Sequence, residues 1–302
     1  MAAHRELARE LGGDVAYHDG GSLEWAERDD KLAELRARVE RLAGRGYAAT
    51  FITRERALSL EPGLGIPDHV REVAFYADDA WLDAPRLVRT LLDAAALKGA
   101  AVRSNVAVRS LRVENGRVEA LAIDGGEIVA KAVFVCVGPA TKTFLEPLGV
   151  TMPVGRVFGL LAVTSRPATA LGRVVHAPGV HLRGDGGGGL MLGADDLDGP
   201  VVEHASAAGR AEIAAQMLER ARRVYPTARD VTLVEHHVGV RPMPSDRHTI
   251  AGRIPGFENA WMIATHSGVT LGPLLGRLLA NELIRGAPNA TLAPFRPDRF
   301  AR

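Results

Sequence analysis

The chain has 302 residues, 47% hydrophobic and 24% charged, with a formal net charge of +1 at pH 7, an ordinary composition for a globular protein of one large domain or two. The near-zero charge gives no electrostatic basis for nucleic acid or an anionic membrane as partner, and no apolar run approaches the roughly 18 residues a spanning helix needs. The single cysteine, Cys136, excludes an intrachain disulfide and fits a reducing compartment, so a cytoplasmic location is expected.

The opening residues, 3–11, read as a short amphipathic helix closed by Gly12-Gly13, not as a signal peptide. "DVAYHDGGSLEWA" follows as a strand pair around Gly20-Gly21. "ERDDKLAELRARVERLAGRG" is a charged helix with Leu32, Leu35, Val39 and Leu42 at three- and four-residue spacing. "LDAPRLVRTLLDAAALKGA" is a further helix, with Asp83 as N-cap, Pro85 in the first turn and Gly99 at the end. Turns at Asn115-Gly116 and Asp124-Gly125 separate β-rich runs that end in "AVFVCVG". That unbroken apolar run predicts a strand buried on both faces, with Cys136 in the core. Residues 155–200 read as antiparallel strands, and Ser206 caps a long helix to about Val224. "VTLVEHHVGVRP" is a strand, "NAWMIATHSGV" a buried strand and turn, and "LGPLLGRLLANELIRG" the last helix. The ends look α/β and the middle antiparallel, which predicts a mixed two-domain design built from separated segments.

"GDGGGG", residues 184–189, fits the letters G-x-G-x-x-G. A phosphate-binding loop must follow a buried strand and open a helix. Here "RVVHAPGVHLR" reads as a strand before the glycines and "GLML" as another after them, which predicts a β-hairpin instead. Asp195, Asp196 and Asp198 lack the rest of a calcium loop and read as a solvated turn.

The stretch "RPMPSDRHTIAGRIPGFENAWMIATHSGVTLGPLLGRLLANELIRG", Arg241–Gly286, resembles the C-terminal signature of the D-amino acid oxidase (DAO) family of FAD-dependent amine oxidoreductases, which includes glycine oxidase, sarcosine oxidase and D-amino acid dehydrogenase. That signature reads roughly R-P-x-T-x-D-G-x-P-x-I-G. Arg241, Pro242, Asp246 and Gly252 match, while Pro244, Arg247 and Thr249 replace the usual Thr, Gly and Pro. "DDAWLDAPRLVRTLLDAAALKGAAVRSNVAVRSL" and "AVFVCVGPATKTFLEPLGVTMPV" resemble the family's middle segment, in which a strand ends at a valine, here Val108, whose backbone receives the adenine. The usual A-G-A-W-S is altered to Val137-Gly138-Pro139-Ala140-Thr141.

The resemblance implies a mixed α/β fold: an incomplete Rossmann-like FAD-binding domain (1–14, 74–153 and 236–302) and an antiparallel-sheet substrate domain (15–73 and 154–235). It implies oxidation of the C–N bond of a small amino or imino acid, with hydride passing to non-covalent FAD. Arg241 would clamp the substrate carboxylate, with His266 beside it as the second catalytic residue. The 266–270 turn (His266, Ser267, Gly268, Val269, Thr270) would meet the flavin, with Val108, Val137, Gly138 and Gly239 as further cofactor contacts. His236 and His237 point to opposite faces of a strand; His237 is the candidate for the substrate side, a merely structural histidine being the alternative. No ligand spacing supports a metal site. Family members begin with a β-α-β unit bearing G-x-G-x-x-G, which is not found here. The expectation is therefore an N-terminally incomplete member that alone binds FAD weakly. The alternative is a non-catalytic remnant, or a subunit that needs another chain; homo-oligomer and heterosubunit association both stay open.

Overall fold

The computed structural model describes residues 1–12 and 16–301. In chain order the first half runs α1 (Ala2–Glu10), β1 (Tyr17–Asp19), β2 (Ser22–Glu24), α2 (Asp29–Ala43), β3 (Ala49–Thr53), α3 (Arg54–Leu60), β4 (Glu72–Tyr76), β5 (Ala80–Leu82), α4 (Ala84–Leu97), β6 (Val108–Glu114), β7 (Arg117–Ile123), β8 (Gly126–Val129), β9 (Val133–Val135) and α5 (Thr141–Leu145). The second half runs β10 (Val154–Thr164), β11 (Val174–Ala177), β12 (Val180–Gly184), β13 (Leu190–Gly193), α6 (Pro200–His204), α7 (Ala207–Val224), β14 (Leu233–Pro244), β15 (Ile250–Arg253), β16 (Ala260–Ala264) and α8 (Gly268–Arg285). By packing, the chain divides into two units, Met1–Arg89 with Phe158–Gly239 and Thr90–Val157 with Val240–Arg302. The expected boundary at residues 14 and 15 lies outside the described residues.

The first unit is organised by an eight-stranded sheet, ordered β14-β10-β13-β12-β11-β2-β4-β3. β2 and β11 are parallel, with Leu23 opposite Val175; β12 is antiparallel to both β11 and β13. One face presents Leu23, Val175, Leu182 and Leu192 to Ile213, Met217, Ala221 and Tyr225 of the α7 region, forming the main core. Each such Leu or Val, fully buried, is worth about 1.5–3 kcal/mol relative to exposure. On the other face Leu35 and Val39 of α2 cover Ala49, Ala74 and Tyr76. Two expected caps are present: the Ser206 hydroxyl accepts the Gly209 N–H at 3.1 Å, and Asp83 Oδ1 accepts the Arg86 N–H at 3.1 Å.

Residues 184–189 form a hairpin turn. Gly184 of β12 pairs with Leu190 of β13, the Asp185 N–H donates to the Gly189 carbonyl at 2.9 Å, and Gly188 carries the positive φ of 88° that a side chain would resist. Two strand readings need correction. "RVVHAPGVHLR" is not one strand but two, β11 and β12, because the chain reverses at Pro178-Gly179 and proline has no N–H for the ladder. β1 and β2 do not pair with each other; β1 pairs with β5, and β2 with β4 and β11. Of Gly20 and Gly21 only Gly21 has positive φ, whereas a two-residue hairpin turn needs it at the first position or at both.

The second unit holds two three-stranded sheets, β6-β7-β8 and β15-β16-β9. β9 runs parallel to β16, with Phe134 opposite Trp261. Leu275 and Leu279 of α8 pack against Ala251 and Trp261. Buried Asn259 joins the sheets: its Oδ1 accepts the Val118 N–H at 2.9 Å, and its Nδ2 donates to the carbonyls of Val118 at 2.8 Å and Lys131 at 3.1 Å. Near the C-terminus Glu282 and Arg296 form a buried ion pair, closed by the Asn289 N–H on Glu282 Oε1 at 2.6 Å.

Two expectations fail in this unit. The "AVFVCVG" strand is not buried on both faces: Val133 and Val135 are buried, but Phe134, Cys136 and Val137 are exposed, since β9 is an edge strand and ends at Val135. Cys136 is therefore not a core residue. No strand ends at Val108 either; β6 begins there, and residues 98–107 lie outside any ladder. A lone extended segment cannot satisfy its own backbone groups, so it forms a strand only beside a partner.

Candidate active site

β16 delivers the chain to Thr265, whose hydroxyl sets the next turn. Thr265 Oγ1 lies 2.9 Å from Thr249 Oγ1 and accepts the Ser267 N–H at 3.2 Å. This fixes His266 and Ser267 just before α8 starts at Gly268. The Ser267 side chain makes no cap bond, and the first amides of any helix have no intrahelical acceptor. α8 thus opens with N–H donors and the positive end of its dipole.

A cleft of about 530 Å³ lies against this turn. Its other walls are Cys136 and Gly138, which follow β9, and Val240, Arg241 and Pro242 at the end of β14. Gly138 has a φ of 53°, and the nearest atom to a Cβ built there is Pro242 Cγ at 4.0 Å; a Cβ at Gly268 would meet nothing within 4 Å. Both glycines keep open space that a side chain would fill. An anionic group of a ligand suits these donors and this opening. The Cys136 thiol is pushed above its ordinary pKa by desolvation against β16, despite an Ile263 N–H pointing to it, and is a neutral thiol at pH 7.

The cleft gathers Gly138, Arg241, His266, Ser267, Gly268, Val269 and Thr270. The other expected residues lie elsewhere. Val108 is the first residue of β6. Val137 is exposed beside the cleft without lining it. Gly239 and His237 belong to the first unit, where His237 Nε2 lies 3.2 Å from Glu235 Oε1. Sequence reasoning missed Cys136, Val240, Pro242, Ile263 and Thr265 as cleft residues; the one signal available was the hydroxyl-rich "ATHS", which can fold back on its own backbone. The departures from the resembled motif also acquire geometry. Arg247, standing where Gly is usual, has a left-handed φ of 61°. Asp246 accepts from Arg299 Nε at 2.8 Å, and that arginine holds its carboxyl below the usual range.

A mixed α/β architecture with a helix that opens its N-terminus onto a cleft suits an anionic cofactor without specifying which one. The chain belongs to the DAO family of FAD-dependent oxidoreductases, whose family model matches residues 1–282. It is 26% identical over 302 residues to the glycine oxidase of Geobacillus kaustophilus, covering 99% of this chain and 78% of the relative. The crystal structure of glycine oxidase from that organism superposes with a TM-score of 0.86 at 26% identity, over 100% of this chain and 81% of that one. Iminodiacetate oxidase from Chelativorans sp. BNC1 gives a TM-score of 0.81 at 26% identity, over 98% and 81%. The protein is thus an oxidoreductase whose cofactor is FAD. Among the described residues no helix is long and apolar enough to cross a membrane.

Proposed function

We propose that the protein oxidises the C–N bond of a small amino or imino acid. The observation that carries this reading is the meeting of Arg241, the open glycines and the α8 N-terminus in one cleft. FAD bound there supplies the hydride acceptor. Arg241 clamps the substrate carboxylate, since a guanidinium presents paired donors that match it. The Gly268 and Val269 amides would favour negative charge on a cofactor held in this cleft. His266 orients the substrate beside them. Val108, Val137, Gly138 and Gly239 contact the rest of the cofactor, and His237 contributes to the substrate side. In this reading segments 1–14, 74–153 and 236–302 serve FAD, and segments 15–73 and 154–235 serve the substrate. FAD is held non-covalently in this reading, since no cysteine follows Cys136 to form a thioether link. A cytoplasmic site of action is consistent with that single thiol.

The test is anaerobic bleaching of the flavin against a panel of amino and imino acids. Arg241→Ala should raise the required concentration by the equivalent of about 2–5 kcal/mol, with Arg241→Lys between it and wild type and flavin content unchanged. Bleaching of Arg241→Ala at wild-type concentrations would remove Arg241 as the clamp.

A second reading, that FAD binding requires a further polypeptide, is favoured by one observation. Leu92, Leu97, Val102, Val106, Leu274 and Ile284 of the second unit are exposed, Leu97 to 90% and Ile284 to 80%, apolar surface that a further chain would cover. The discriminating measurement is flavin retention by the chain alone after gel filtration. A colourless chain that gains flavin only with a second polypeptide supports this reading; a yellow chain with one flavin per chain ends it.

A further inference from the structure

The second face of the first unit's sheet carries a polar row that shares no residue with the cleft at α8. Glu24 of β2 stands opposite His176 of β11, and His176 opposite His181 of β12. The two imidazoles approach Nδ1 to Nδ1 at 2.9 Å, so one donates and the other accepts. His181 Nε2 lies 3.2 Å from Asp195 Oδ2. At the other end, the Tyr76 hydroxyl donates to Glu24 at 3.2 Å and Arg38 of α2 pairs with the same carboxylate. Asp79 accepts from the Ser22 hydroxyl at 2.6 Å and from Tyr47.

These groups line one cleft of about 640 Å³, a size suited to a small molecule. Three carboxylates, Glu24, Asp79 and Asp195, face one guanidinium, Arg38, and one imidazole, His181, whose pKa is raised first by its hydrogen bond to Asp195. Asp79 is met by two neutral hydroxyls, and desolvation followed by the Asp79 contact pushes the Tyr47 hydroxyl far up, so it stays uncharged. His176 is pushed down by burial and then by His181, and is neutral at pH 7. Three pairs of nearby surface charges are matched among themselves: Lys31 with Glu34, Arg28 with Asp30, Asp196 with Arg220. The negative excess is therefore inside the cleft, where the tyrosine rings also favour a cation.

We infer that this cleft binds an organic cation, the ammonium or guanidinium group of a small amine. The site shares no residue with the cleft at α8, so its test, which needs no flavin, and that of the proposed oxidation fail separately. Agmatine, cadaverine and uncharged 1-pentanol are titrated into the full chain by calorimetry, with the histidine ring signals followed by NMR. Both amines should bind and shift the His176 and His181 signals, while 1-pentanol does neither. Affinity should fall as the pH drops from about 8 to about 5.5, because protonating the histidine pair adds positive charge while the amines keep theirs. Glu24→Gln should weaken agmatine by about tenfold or more, and Asp195→Asn, exposed enough to leave folding intact, by about threefold. Absence of amine binding at millimolar concentration, equal binding of 1-pentanol, or unchanged affinity in folded Asp195→Asn would each overturn the inference.

Discussion

The cleft at the start of α8 and the cleft beneath α2 are made of different materials. The first is walled mostly by main chain and by small or apolar residues, among them Gly138, Pro242, Ile263 and Gly268, with Arg241, His266 and Cys136 its ionisable side chains. The second is walled by ionisable side chains, Glu24, Asp79, Asp195, His176 and His181. A backbone site selects by shape and by fixed dipoles, so it is broken by adding atoms. A side-chain site selects by charge, so it is broken by removing charge and it responds to pH. A third place, the Glu282–Arg296 pair, shows charge used for structure alone: matched, buried and closed by a backbone N–H.

The sharpest check on that contrast is the matched pair. Burial would raise the Glu282 carboxyl, but Arg296 and the Asn289 N–H outweigh it and hold the pKa below its ordinary value. Arg296→Ala strands a buried carboxylate and should cost about 3–5 kcal/mol in chemical denaturation. Because the folded pKa is depressed, the contribution is present above the unfolded value, about 4.3, and fades as pH falls through the folded one. An unchanged denaturation midpoint would mean the pair is not structural.

Next comes the backbone cleft. Gly138→Val adds atoms to the opening and strains a positive φ, and should lower FAD affinity by about a hundredfold, or ~3 kcal/mol. Ser22→Ala in the other cleft should leave flavin content alone. Equal flavin loss in both variants, read after gel filtration, would erase the distinction. Smaller again is the hairpin, where Gly188→Ala should cost about 1 kcal/mol in melting with no effect on flavin. Selective loss of flavin there would restore residues 184–189 as a phosphate loop.

The smallest effect belongs to His181, whose pKa is raised first by its hydrogen bond to Asp195, against burial. A raised folded pKa gives stability that is complete below the ordinary histidine value and vanishes as pH rises through the folded one. Asp195→Asn should therefore move the His181 NMR titration to lower pH and reduce stability at acid pH by only a few tenths of a kcal/mol, since Asp195 is largely exposed. An unmoved titration would detach Asp195 from the histidine row.

What could be read from sequence follows from the range of the interactions. Ser206, Asp83 and Asn115-Gly116 act within three or four residues, and each does what its local chemistry dictates. The strand-turn-helix run from β16 through Thr265 to α8 was legible for the same reason, as was the hairpin turn at residues 184–189. Pairing between distant strands was not. Nothing near Ser22 announces β11 as its neighbour, and apolar letters alone could not tell that β9 lies at an edge and leaves Cys136 exposed. The Asp195 turn looked solvated because its partners, His181, Arg220 and the Leu160 N–H bound by Asp198, come from other elements.

The parallel seam between β2 and β11 carries a consequence for biosynthesis. Leu23 leaves the ribosome early, but its partner Val175 follows only after the whole of residues 90–157. Until then the β2-β4-β3 ribbon has an open edge, and the main core lacks α7. High contact order of this kind slows folding and leaves nascent chains prone to association. Slower translation or cooler expression should raise the soluble yield by giving that late strand time to close the seam before a neighbouring chain does.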